Sequence, residues 1–180
     1  VKVRPKGFSD TEAVAILSAS AQAERGREDP KTYAAKRWVP WLCAYTGARL
    51  GEMVQLRKED IRQEDGMWVL RITPEAGSVK TNEARDVVIH PHLIQVGFVD
   101  FIAAADPGYL FLNAKVGDDI RGKWRSIKNR VTEFVRKVVP DQNVQPNHGW
   151  RHRFKTVGRE AGVSDRVLDA ICGHAPATVG

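Results

Sequence analysis

Cysteine is scarce in this sequence: only Cys43 and Cys172 occur, each inside an apolar run. Two cysteines are too few for a disulfide framework, and no secretory leader points to an oxidising compartment, so reduced thiols are expected. Any apolar run approaching the roughly 20 residues of a membrane-spanning helix is missing too. That excludes a membrane partner and makes the chain read as a cytoplasmic protein. Neither an internal repeat nor a low-complexity segment occurs, which leaves one compact domain.

The content supports that reading. Of 180 residues, 42% are hydrophobic, enough for a single real core. Lys and Arg total 28 against 22 Asp and Glu, for a net charge of +6. Such a balance favours a polyanion such as nucleic acid. The chain opens with Val1 rather than Met, so a processed or excised piece of a longer protein is expected.

Residues 1–8 open VKVRPKG, basic and carrying Pro and Gly as a linker would; 9–180 read as the domain. Ser9 begins a helix with Glu12 in the capping-box position and Phe8 available as a staple. Ala13, Ile16 and Leu17 form its buried stripe, and 25–31 (RGREDPK) read as a polar loop. From 33 to 45 the apolar residues, among them Trp38, Val39, Trp41 and Leu42, run almost all round, as in a central buried helix. Pro40 is expected to kink or divide that helix, and Gly47 to end it before a short helix through Arg49, Glu52, Val54 and Leu56. Two β-rich runs follow, 67–73 (MWVLRIT) and 86–90 (DVVIH), forming a small antiparallel sheet. Over 119–138, Ile120, Trp124, Ile127, Val131, Phe134 and Val138 repeat at helical spacing. Two helices close the chain, one from about 148 to 161, the other capped by Ser164 and ended by Gly173. The fold class is mainly α (α+β): a helical core with a small antiparallel sheet.

Chemistry concentrates on the helix from His148. Trp150, Phe154, Val157 and Ala161 make one apolar stripe, while His148, Arg151, His152 and Lys155 cluster opposite with no acid to neutralise them. This is either a solvated basic face or a phosphate site, with Arg151 gripping two oxygens and His148 placed to move a proton. A zinc reading pairs His148 with His152 and adds Cys172 and His174. It lacks the neighbouring Glu of the common hydrolase motif and any nearby acidic ligand, so no metal or other cofactor is expected.

The stretch H-G-W-R-H-R-F-K-T-V-G-R-E-A-G-V at 148–163 resembles the H-x-x-R-H block of tyrosine recombinases, the phage-integrase family. A-Y-T-G-A-R-L-G-E-M-V-Q-L at 44–56 resembles the family's other arginine block, and I-C-G-H at 171–174 its L-G-H, with Cys for Leu. The opening F-S-D-T-E-A-V-A-I-L is similar to the usual first helix of the catalytic domain. The blocks stand in the expected order across essentially the whole chain.

That resemblance implies a tyrosine-recombinase catalytic domain. A tyrosine attacks the scissile DNA phosphate, leaving a 3′-phosphotyrosyl link and a free 5′-hydroxyl; the link conserves the phosphodiester energy, so no ATP is needed. It implies that Arg49 and Arg151 are the guanidinium forks on the phosphate, that His148 bonds it and accepts a proton, and that His174 is a second histidine on it. Lys80 is placed as the donor to the leaving 5′-oxygen, with Arg85 as the fallback, and Glu52 as a buttress or an ordinary salt bridge. Arg121, Lys123, Arg125 and Lys128 are candidate DNA contacts. The family nucleophile follows the G-H by roughly nine residues; only six residues follow His174 here, so these 180 residues alone are expected to be inactive in cleavage. Tyr33, Tyr45 and Tyr109 sit in the wrong places. Partners implied are a double-stranded DNA recombination site, a homo-tetramer of the parent on DNA and accessory DNA-bending proteins, in a bacterial or phage-encoded, nucleoid-associated setting. The alternatives are a type IB topoisomerase and a non-enzymatic module using 148–161 and 164–172 like a helix-turn-helix.

Overall fold

The computed structural model describes residues 4–77 and 83–174. Among the described residues, eight α-helices and three strands run in the order α1 (Asp10–Ala21), α2 (Pro30–Thr46), α3 (Leu50–Val54), β1 (Ile61–Glu64), β2 (Met67–Ile72), β3 (Arg85–Val88), α4 (Pro91–Gln95), α5 (Phe98–Ala104), α6 (Arg121–Val138), α7 (Pro146–Glu160) and α8 (Asp165–Cys172).

The capping box of α1 forms as expected: Ser9 Oγ accepts from Glu12 N–H and Glu12 Oε2 accepts from Ser9 N–H. Phe8 packs edge-on against Trp150, with ring centroids 5.0 Å apart. Helix α2 lies at the centre, against α1, α3, α6 and α7. It begins inside the stretch expected to be loop, because Asp29 Oδ1 accepts from the N–H groups of Lys31 and Thr32 and Pro30 takes the first helical position. Pro40 does not divide α2. Its ring costs one helical hydrogen bond, but Trp38, Val39, Trp41, Leu42 and Cys43 around it are all buried, and that packing holds the helix together.

The sheet has order β1-β2-β3, antiparallel throughout, with Ile61 opposite Leu70 and Leu70 opposite Val87. Strand β1 had no apolar alternation to announce it. Its signal is Asp65-Gly66, both at positive φ, the two-residue turn that matches the twist of a hairpin. Ile61, Leu70, Ile72 and Val87 join the core.

Helix α6 buries Ile127, Val131 and Val135. Helix α7 departs from its expected stripe: Trp150 is buried, Phe154 half-buried, and Val157 and Ala161 exposed. The buried face is instead Pro146, Gly149, Trp150 and Arg151. Helix α8 is capped as expected, with Ser164 Oγ accepting from Val167 N–H and Gly173 left-handed at its end. Both cysteines are free and buried. Among the described residues, no helix is long and apolar enough to cross a membrane.

Candidate active site

The turn between α2 and α3 is built to project one side chain. Thr46 Oγ1 donates to Leu42 C=O at 2.7 Å and accepts from Ala48 N–H at 3.1 Å. Gly47 is left-handed, and a Cβ there would lie 2.7 Å from the Phe154 ring and 2.8 Å from Cys172 Sγ. Only glycine meets both demands cheaply. Arg49 emerges at the N-terminus of α3. Glu52, almost wholly buried, accepts from Arg49 N–H at 2.9 Å and from its Nη1 at 3.1 Å. The same carboxylate takes Arg85 Nη2 at 2.7 Å. Burial alone would raise the Glu52 carboxyl, but the bonds from Arg85 and Arg49 outweigh it and hold it below the usual range.

Arg151 comes from the buried side of α7, only 6% exposed. Its Nη2 donates to Cys172 C=O at the end of α8, whereas Nε and Nη1 have no hydrogen-bond partner among the described residues. Burial, and then the like charge of Arg49, both disfavour its cationic form. Two forks of one sign with two buried donors unmet form a site electrostatically suited to an anion. Arg49 and His148 line one cleft of about 340 Å³ with Leu50, Gly51, Glu52, Trp124, Lys128 and Asn147. Trp124 fixes its wall by donating Nε1–H to Gly51 C=O at 2.8 Å, and Lys128 Nζ lies 4.3 Å from the centre of its ring. At the far end of α8, His174 Nδ1 lies 3.0 Å from both Asp169 Oδ1 and Lys155 Nζ. Asp169 raises the imidazole, but burial and the charges of Arg151 and Lys155 leave it below its ordinary value. At neutral pH His174 is therefore mainly a neutral hydrogen-bonding group. Arrangements of this kind hold a tetrahedral anion and stabilise charge that builds on its oxygens.

A family model described as the phage integrase family matches residues 8–179. The chain belongs to the phage integrase family. Tyrosine recombinase XerA of Pyrococcus furiosus is 26% identical over 179 residues, covering 97% of this chain and 55% of that protein. Among solved structures, the XerH site-specific recombinase bound to its difH substrate before cleavage superposes with TM-score 0.67 at 20% identity, over 95% of this chain and 47% of that one. The XerA recombinase structure gives 0.64 at 24% identity, over 95% and 55%. This integrase-family chain thus spans about half the length of the relatives it matches. They are recombinases, which favours neither the topoisomerase nor the non-enzymatic reading.

The integrase-family domain brings Arg49, Glu52, His148, Arg151 and His174 to one region, through shared partners and a shared cleft. Lys80 lies outside the described residues. Arg85, the fallback for Lys80, is committed elsewhere, to Glu52 and to Ile171 C=O at 3.0 Å. The expected all-basic outer face of α7 is also corrected. Arg151 and Lys155 turn toward α8, where Asp169 neutralises Lys155. Acid and base stand 14 residues apart, so only the packing of α8 on α7 reveals the pair. The zinc reading finds no support: among the described residues no three His, Cys, Asp or Glu side chains gather closely enough to hold an ion. Of the four cations proposed on α6, Lys128 enters the cleft. Arg121 and Arg125 follow it on the same face, while Lys123 points to the other flank and donates to Asn113 C=O. Tyr45 and Tyr109 are engaged away from the site, with His92 and with Ala76 C=O.

Proposed function

We propose that this chain is the catalytic domain of a site-specific DNA recombinase and grips the scissile phosphate between Arg49 and Arg151. The observation that carries the proposal is the buried Arg151 guanidinium, with two donors unmet beside a second guanidinium. Burial without partners costs free energy, and a phosphodiester oxygen would remove that cost. In this mechanism both forks bond non-bridging oxygens and strengthen as charge accumulates there. His148, in the cleft with Arg49, bonds the phosphate and accepts the nucleophile's proton; His174 supplies a further bond. Lys80 protonates the leaving 5′-oxygen. The nucleophile is a tyrosine of the longer protein that follows His174, and four copies act on two DNA sites, with accessory bending proteins where the site needs them.

The full-length protein, given a nicked suicide substrate containing its recombination site, should form a denaturation-resistant adduct without metal or ATP. Arg151→Ala should abolish it, and the adduct should map to a tyrosine shortly after His174. DNA binding with no adduct on a verified site would withdraw these catalytic roles.

A further inference from the structure

Arg85 stands on β3, away from the arginines assigned to the phosphate, yet its side chain is only 12% exposed and its side-chain hydrogen bonds among the described residues bear on them. Nη2 donates to Glu52 Oε2 at 2.7 Å and Nη1 reaches Oε1 at 3.4 Å. Nε donates to Ile171 C=O at 3.0 Å. Glu52 is the carboxylate that holds the backbone and guanidinium of Arg49. Ile171 directly precedes Cys172, whose carbonyl holds Arg151, and His174 follows two residues later. The guanidinium therefore lies between the two halves of the site. The chain around it is shaped to admit it: Gly173 is left-handed, and a Cβ there would come within 2.5 Å of Arg85 Nη1.

We infer that Arg85 is a positioning residue that ties the Glu52–Arg49 half of the phosphate site to the end of α8 that fixes Arg151. The substrate role of that site rests on the function proposed above, but the tie itself belongs to the free protein. A guanidinium fork is required because three acceptors are met at once: two carboxylate oxygens at Nη1 and Nη2 and a carbonyl at Nε. A lysine ammonium keeps the charge and cannot span them. Removing the fork leaves Glu52 with Arg49 alone and frees the carbonyl end of α8, so both phosphate-binding guanidiniums lose their common reference.

The test is the nitrogen-15 spectrum of the arginine side chains in the free protein, followed by titration with inorganic phosphate. In Arg85→Ala the Nε–H signals of both Arg49 and Arg151 should shift or broaden, with helical circular dichroism unchanged, and phosphate affinity should fall at least about tenfold. Arg85→Lys should behave the same way, and it carries the test if Arg85→Ala does not fold. Unmoved Arg49 and Arg151 signals in a folded Arg85 variant would overturn the inference. Arg151→Ala separates the two proposals. If it binds phosphate as tightly as the wild type, the phosphate-site reading fails, and the role of Arg85 is then decided by the spectra of the free protein.

Discussion

At the scale of single residues, Glu52 carries the sharpest consequence. It is a buried carboxylate shared by two arginines, and breaking such a pair from one side typically costs about 3–5 kcal/mol because a buried charge is left uncompensated. Glu52→Gln should therefore destabilise the domain by that order at neutral pH. The pH dependence follows from the direction of its shift. Its folded value lies below the ordinary one, so its contribution is complete above the unfolded pKa of about 4.3 and fades as pH falls through that value toward the folded one. Denaturant unfolding of wild type and Glu52→Gln should give free energies that converge as the pH falls through the carboxylate range. Parallel curves would mean that Glu52 is not held as an ion. The sequence makes Glu52 visible only as an acid one turn from Arg49. Its second partner, Arg85, lies 33 residues away on a strand, and no periodicity connects them.

Elements were legible where the determinant is local. The capping box at Ser9, the end of α2 at Gly47 and the long stripe of α6 all come from contacts within a few residues. Strand β1 was not, because Ile61–Glu64 is short and mostly polar; only the Asp65-Gly66 turn betrays it. The inner face of α7 was misread for a related reason. A buried arginine counts as polar in any hydrophobic pattern, so the pattern alone places Arg151 opposite the apolar stripe and does not show that it is buried. The T-G-A-R turn shows how an element's end can serve the site. Gly47→Ala puts a Cβ at φ +63 against Phe154 and Cys172. The left-handed backbone costs about 1–2 kcal/mol, and the overpacking about 1–3 more. Urea unfolding should register a loss of about 2–5 kcal/mol in total; a variant as stable as wild type would show that the turn has room to relax.

For the whole molecule, the proposed DNA partner raises the matter of where a net charge of +6 would meet it. Each phosphate neutralised by a cation releases counterions, so log K falls with log salt by about 0.9 per contact on duplex DNA. The fold sorts the cations of α6 that composition alone cannot. Arg121, Arg125 and Lys128 share one face of the helix, and Lys128 stands in the cleft with Arg49 and His148. A phosphate held at Arg49 and Arg151 would bring the neighbouring backbone along that same face. Lys123 lies on the opposite flank, its ammonium bound to the Asn113 carbonyl. Arg125→Ala and Lys128→Ala should each weaken binding to specific and random duplexes alike and lower the salt slope by about 1, while Lys123→Ala leaves the slope unchanged. Equal losses from Lys123 and Lys128 would mean that DNA does not follow that one face of α6, and would detach the basic helix from the phosphate site.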